Sequence, residues 1–314
     1  MKSLNALKFD MGKTAFIFPG QGSQYVGMGK DFFDSDADSQ RLFARADDIL
    51  GVPLSKICFE GPDDELKQTR NTQPAIFLHS MVVLNKLQGV QADMAAGHSL
   101  GEYSALVAAK AISFEDGLSL VRLRGELMQK AGDEQKGTMA AIVGLMPEAV
   151  ETICKEASAA GIVQTANFNS PGQIVISGSV EGVRRGLELA KAAGAKLVKE
   201  LVVSGAFHSP LMSGASDGLK KKLDATKIVD ASIPVYANVT AEPMTKAEDI
   251  RDMLFRQLTS PVRWEESVIH MVRDGADSFL EIGPGKVLQG LAKRIAASAT
   301  IRGYDKYPDI QQNL

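Results

Sequence analysis

The chain has 314 residues, 45% hydrophobic and 23% charged, enough to bury one large core and a smaller second one. Its formal net charge of -3 argues against a nucleic-acid binder, which would usually be basic. The 2 cysteines, Cys58 and Cys154, form neither a disulfide framework nor a metal-ligand spacing, no apolar run reaches membrane-spanning length, and the amino terminus lacks a signal-peptide core; a reducing, cytoplasmic setting is expected.

Strand-like and helical runs alternate along the chain, the pattern of an α/β protein. Residues 1–12 carry no periodicity and read as an extension ahead of the first strand. Thr14-Ala15-Phe16-Ile17-Phe18 reads as a buried strand stopped by Pro19-Gly20. Residues 73–87 predict a helix, with Pro74 suited to its first turn. Residues 94–97 form a strand running into Gly97-His98-Ser99-Leu100-Gly101, and a helix follows from Glu102. Ser113-Phe114-Glu115-Asp116 is an N-cap with acids in the first turn, so a helix should run on through Met128. Next come a strand (137–144), a helix (147–159), two strands (162–168 and 173–177), a helix (180–193) closed by Gly194, and a strand (196–203). This ferredoxin-like order places a small insert at 137–204 inside a larger domain; one continuous sheet is the alternative. Beyond it lie a strand (234–239), helices (247–258 and 264–274), a strand (278–282) and a final helix (287–296).

Strand, Gly-x-Ser-x-Gly, helix is the pattern of a nucleophile elbow, where the turn is sharp and a side chain at either glycine would clash. Ser99 is therefore the candidate acyl nucleophile, and a serine hydroxyl needs a base within reach. Of the 4 histidines, His79 and His270 lie inside predicted helices and read as packed or surface residues. His98 adjoins the serine but points elsewhere and shapes the turn. His208, in a loop just past a strand, is the best candidate base. No acid between Ser99 and His208 claims the third place of a triad. The Leu100 N–H is the expected first donor of an oxyanion hole. The glycine-rich loop 19–24 could supply a second, or be a phosphate loop or a plain turn, though it lacks a P-loop lysine. Arg122 and Arg124 lie on a helix that is apolar nearly all round. A buried arginine there needs either an internal carboxylate or a carboxylate on a substrate, and both stay open.

Phe18-Pro19-Gly20-Gln21-Gly22-Ser23-Gln24, Gly97-His98-Ser99-Leu100-Gly101-Glu102-Tyr103, Asn167-Phe168-Asn169-Ser170-Pro171-Gly172-Gln173, Ala206-Phe207-His208, Arg256-Gln257-Leu258 and Glu281-Ile282-Gly283-Pro284-Gly285 occur in that order. With them, residues 13–295 resemble the malonyl-CoA:acyl carrier protein transacylase family. The resemblance implies an α/β-hydrolase-like domain with a mostly parallel sheet, residues 13–136 and 205–314, carrying the ferredoxin-like insert. It implies Ser99 as nucleophile, His208 as base, the Gln257 main-chain carbonyl as its orienter, and the Gln21 and Leu100 N–H groups as the oxyanion hole. Arg124 would pair with the free carboxylate of the malonyl group. Met128, one turn on, would wall the same pocket, and Phe207 would crowd an α-methyl branch. Asn167 and Asn169 match the family motif without an assigned role. The implied substrates are malonyl-CoA and holo acyl carrier protein, with no cofactor, no metal, and no nucleic-acid or membrane partner; a monomer is expected. An acidic carrier would dock on Lys286, Lys293 and Arg294, whereas Lys220-Lys221-Lys222 reads as a solvated helix face. The rival readings are a trans-acting acyltransferase of a polyketide synthase, a serine hydrolase or thioesterase, and a catalytically silent carrier-docking module.

Overall fold

Ala15, Phe16, Ile17 and Phe18 are all buried, as a strand covered on both faces requires. In the computed structural model, which describes residues 12–87 and 89–311, they belong to β1 (Lys13–Phe18), well inside the larger of two sheets. All of the expected amino-terminal extension except Gly12 lies outside the described residues. The other strands are β2 (Met94–Gly97), β3 (Gly137–Val143), β4 (Val163–Ser170), β5 (Gln173–Ser179), β6 (Leu197–Glu200), β7 (Val235–Tyr236), β8 (Pro243–Met244), β9 (Ala276–Ile282) and β10 (Thr300–Tyr304).

The larger sheet has the order β10-β9-β1-β2-β7-β8, parallel throughout except for the β7–β8 edge. Phe18 pairs with Gly97, so the loops after β1 and β2 leave the same carboxyl edge of the sheet, where α/β folds place their ligands. The smaller sheet, β4-β5-β3-β6, is wholly antiparallel. Helices Pro147–Ala157 and Val180–Ala192 cover it over a separate apolar cluster that includes Ile142, Val150, Ile174 and Val183. Strand, helix, strand, strand, helix, strand is the ferredoxin-like order.

Several boundaries differ from the sequence reading. The helix expected over 73–87 starts at Thr69, which puts Pro74 inside it rather than in its first turn. Proline has no N–H for the Arg70 carbonyl one turn back, and the Arg122 guanidinium donates to that oxygen instead (3.1 Å). The Ser113 cap is present, its hydroxyl accepting from Asp116 N, but the helix runs on to Glu134. The strand expected over 196–203 keeps only Leu197–Glu200, and the one expected over 234–239 only Val235–Tyr236. Sequence periodicity gave no element between the first loop and residue 73, where the chain builds four helices, Lys30–Ser35, Ala37–Leu50, Leu54–Glu60 and Asp63–Leu66. The first, third and fourth are two turns or shorter, too brief for a 3.6-residue period to declare itself. Among the described residues no helix is long and apolar enough to cross a membrane.

Candidate active site

β2 ends at Gly97, and the next helix begins at Gly101, leaving three residues to reverse the chain. A Cβ on Gly97 would run into the Gly101 carbonyl, and one on Gly101 into the Phe18 carbonyl, so both glycines are sterically required. Between them Ser99 takes a left-handed backbone (φ 51), a strained conformation for a residue with a side chain. Asn238, just past β7, braces the turn. Its Oδ1 accepts from Ser99 N (2.7 Å) and its Nδ2 donates to Gly97 O (2.7 Å).

The Ser99 hydroxyl lies 2.8 Å from His208 Nε2. His208 is 3% exposed, and its Nδ1 faces two main-chain carbonyls, those of Gln257 (3.0 Å) and Ser260 (3.1 Å). Carbonyls only accept, so Nδ1 carries the proton and Nε2 is the basic nitrogen aimed at the serine. Burial, reinforced by the Arg124 guanidinium, pushes His208 down to about 3, which leaves the ring neutral and ready to take a proton. A Gln164 Nε2–H to the His208 carbonyl (2.8 Å) fixes the loop from the small sheet.

Arg124 is 1% exposed and sits on the far side of the same hydroxyl. Its Nη2 donates to Ser99 Oγ (3.0 Å) and to Gln257 Oε1 (2.9 Å), and its Nη1 to Gln73 Oε1 (2.8 Å). Its Nε has no acceptor, and no carboxylate pairs with it among the described residues. The choice that sequence left open for the two arginines thus divides. Arg122 bonds an internal carboxylate, Glu126 (2.6 Å), together with Asn71 Oδ1 (3.0 Å), whereas Arg124 is left with amide partners, the serine and the face of the Tyr103 ring (5.6 Å).

The remaining predicted residues fall as follows. Gln21, in the loop after β1, donates through Nε2 to Thr69 Oγ1 (3.4 Å). The main-chain N–H groups of Gln21 and Leu100 meet no acceptor among the described residues. Met128 is buried, its sulfur accepting from Gln73 Nε2 (3.3 Å), the amide that also receives Arg124. Phe207 is buried in the apolar cluster that holds Met128 and Met212. His98 points away from the hydroxyl toward Asn169 Oδ1 (2.9 Å) and tilts against Trp264, tying the elbow to β4. Asn167 is buried in the same strand, bridged to Val262. His79 and His270 are packed helical residues, bonded to Asp305 O (2.9 Å) and Ala241 O (2.9 Å). Lys286, Lys293 and Arg294 are exposed.

Sequence reasoning missed Glu102, Gln73, Asn238 and the Gln257 side chain. Glu102 is fully buried; burial pushes it up to about 7, opposed by hydrogen bonds from Asn238 and Gln257 and by the Arg124 charge. Its place inside the elbow motif was the one available signal. A cavity of about 1050 Å³ lies elsewhere, toward the amino ends of β2 and β7 between Phe16, Met81, Ala92, Val107 and Ile233, and no predicted site residue lines it. Among the described residues no group of three or more His, Cys, Asp or Glu could hold a metal ion.

The model of the acyl transferase domain family matches residues 15–312. The malonyl CoA-acyl carrier protein transacylase of Bacillus subtilis (strain 168) is 50% identical over 288 residues, which are 91% of this chain and 91% of that protein. The solved acyl carrier protein S-malonyltransferase of Vibrio cholerae superposes with a TM-score of 0.92 at 42% identity, covering 96% of this chain and 99% of that one. A malonyl-transacylase solved in complex with its type II PKS acyl-carrier protein gives a TM-score of 0.92 at 42% identity, with 96% and 99% covered.

Proposed function

The chain belongs to the acyl transferase family, and we propose that it carries a malonyl group from coenzyme A to the phosphopantetheine thiol of an acyl carrier protein, with Ser99 as the covalent way station. The observation that carries this reading is the meeting at one hydroxyl of a neutral histidine nitrogen (2.8 Å) and a buried guanidinium that lacks a carboxylate partner (3.0 Å). The first makes the serine a nucleophile; the second recognises an acyl group that brings its own negative charge. In this reading residues 13–136 and 205–314 form the catalytic body and 137–204 the insert.

Ser99 Oγ attacks the thioester carbon as its proton passes to His208 Nε2. The Gln21 and Leu100 N–H groups receive the carbonyl oxygen as it becomes an oxyanion. The carbon–sulfur bond breaks, and coenzyme A leaves as a thiol with the proton from His208. The carrier thiol then gives its proton to His208 and attacks the ester, and Ser99 Oγ recovers a proton as it departs. His208 is oriented by two carbonyls rather than by an acid, which disfavours the hydrolase reading, since a hydrolase would usually supply one. No metal or cofactor enters any of these steps.

The test is a transfer assay offering malonyl-, methylmalonyl- and acetyl-CoA with holo carrier protein as acceptor. Malonyl-carrier protein is expected to form first and fastest; free malonate forming faster would favour a hydrolase. In the same assay Lys286→Glu with Lys293→Glu is expected to raise the carrier KM in a salt-sensitive way, and an unchanged KM would remove that docking surface.

The pH dependence follows from His208. The fold lowers its pKa from the ordinary 6.5 to about 3, so the acid limb of kcat/KM, which reports the free enzyme, is expected well below 6.5. A bound malonyl carboxylate offsets the Arg124 charge, so the acid limb of kcat should lie at higher pH than that of kcat/KM. Coincident limbs near 6.5 would contradict a buried neutral base. The sign for stability is the same. Protonation opposes the fold, so this residue's contribution is constant above 6.5 and falls as pH drops toward 3.

A further inference from the structure

Glu102 belongs to the helix that begins at the elbow, and no step of the reaction above uses it. Its Oε2 accepts from Asn238 N (3.0 Å) and from Gln257 Nε2 (2.8 Å), and its Oε1 has no hydrogen-bond partner. The Gln257 carboxamide is the hub of the site. Its Nε2 also donates to the Ser99 main-chain oxygen (3.0 Å), and its Oε1 accepts from Arg124 Nη2 (2.9 Å). The main-chain carbonyl of the same residue holds His208.

Arg124 therefore faces the buried Glu102 carboxyl group through one intervening amide. A carboxylate seated directly on the guanidinium would hold it firmly, but would take the donors that an acyl carboxylate needs. With an amide between them, Arg124 is held by a hydrogen bond while its charge stays available. An amide of this kind can turn over, exchanging its oxygen and nitrogen, and Glu102 together with the Ser99 carbonyl fixes which way it faces, because Glu102 Oε2, which already takes the Asn238 N–H, accepts whether or not the other oxygen carries a proton. The turned amide would set an NH₂ group against the guanidinium.

We infer that Glu102 is a positioning residue for acyl selectivity: by accepting from the Gln257 carboxamide it turns the amide oxygen toward Arg124 and keeps the guanidinium placed for a substrate carboxylate. This rests on the reading of Arg124 given above. A role confined to bracing the elbow through Asn238 would instead affect every acyl group alike.

The experiment compares malonyl-CoA and acetyl-CoA as donors for Glu102→Met, which cannot accept strongly from the amide, and Glu102→Gln, whose amide oxygen can. In Glu102→Met the malonyl-CoA KM is expected to rise about tenfold or more while the acetyl-CoA specificity constant changes less than about threefold, and Glu102→Gln is expected to restore most of the loss. Equal losses for the two donors, no loss, or a malonyl-selective loss that glutamine does not rescue would each overturn the inference. Should Glu102→Met fail to fold, Gln257→Leu breaks the same chain from its other end; it also removes the bond to the Ser99 main-chain oxygen, so both donors are expected to slow, with the loss about tenfold or more larger for malonyl-CoA, and an equal loss overturns the inference. Arg124→Ala, run alongside, separates two failures. If it keeps the malonyl preference, the reading of Arg124 falls; if it removes the preference while Glu102→Met does not, only the role of Glu102 is overturned.

Discussion

Ser99→Ala is expected to abolish the covalent intermediate: intact protein mass after treatment with malonyl-CoA should show no added acyl group, and transfer should fall by about 10⁴- to 10⁶-fold, the scale set by removal of a serine nucleophile elsewhere. The size follows from the lack of a substitute. The hydroxyl is the group bonded to His208 Nε2, at 2.8 Å. Cys58 and Cys154 are both buried, with their thiols pushed up by that burial, so neither offers a thiolate near neutral pH. Folding should survive the change. Alanine keeps the Cβ that the left-handed backbone already tolerates, and the Asn238 brace bonds the main chain rather than the hydroxyl. A persistent adduct would move the nucleophile elsewhere.

The second large effect concerns charge. Arg124→Ala is expected to lower kcat/KM for malonyl-CoA by about 10²- to 10³-fold, the equivalent of roughly 3–4 kcal/mol, and to change acetyl-CoA transfer by less than about tenfold. An acetyl group offers nothing to the guanidinium and leaves it buried without an anion, whereas the malonyl carboxylate satisfies it. On the proposed reading, that difference is the source of selectivity. The variant should remain folded, because Glu102, deprived of the cation that favours its charge, can take up a proton and become neutral. Steady-state kinetics with both donors decides the matter, and equal losses would sink the assignment of Arg124.

Much of this site is legible in the chain because its parts are local. The elbow announces itself through Gly97 and Gly101, since each glycine is demanded by backbone only a few residues away or on the next strand. The Ser113 cap reads directly, because its hydroxyl bonds a main-chain N–H three residues on. The alternation of strands and helices, and the ferredoxin-like order of the small sheet, follow from apolar periodicity and turn residues. His208 could be singled out by elimination among 4 histidines.

What local pattern could not supply was partnership across the chain. Arg122 and Arg124 are two positions apart on one helix and look alike in sequence. Only packing directs one to Glu126 and Asn71 and the other to Ser99, because residues two apart leave opposite sides of a helix. The absence of a triad acid looked like a gap, yet the structure buries Glu102 at the site with its carboxylate turned to Gln257 and Asn238 rather than to His208. Gln257 lies 158 residues from Ser99 and touches it through its side chain, a contact that no periodicity encodes. By itself, then, the sequence determined the fold class, the sharp turn at Ser99 and the candidate base, all of which depend on backbone geometry and short-range spacing. The tertiary structure alone decided which charges face one another at that turn, because burial and amide orientation are set by elements that meet only when the chain has folded.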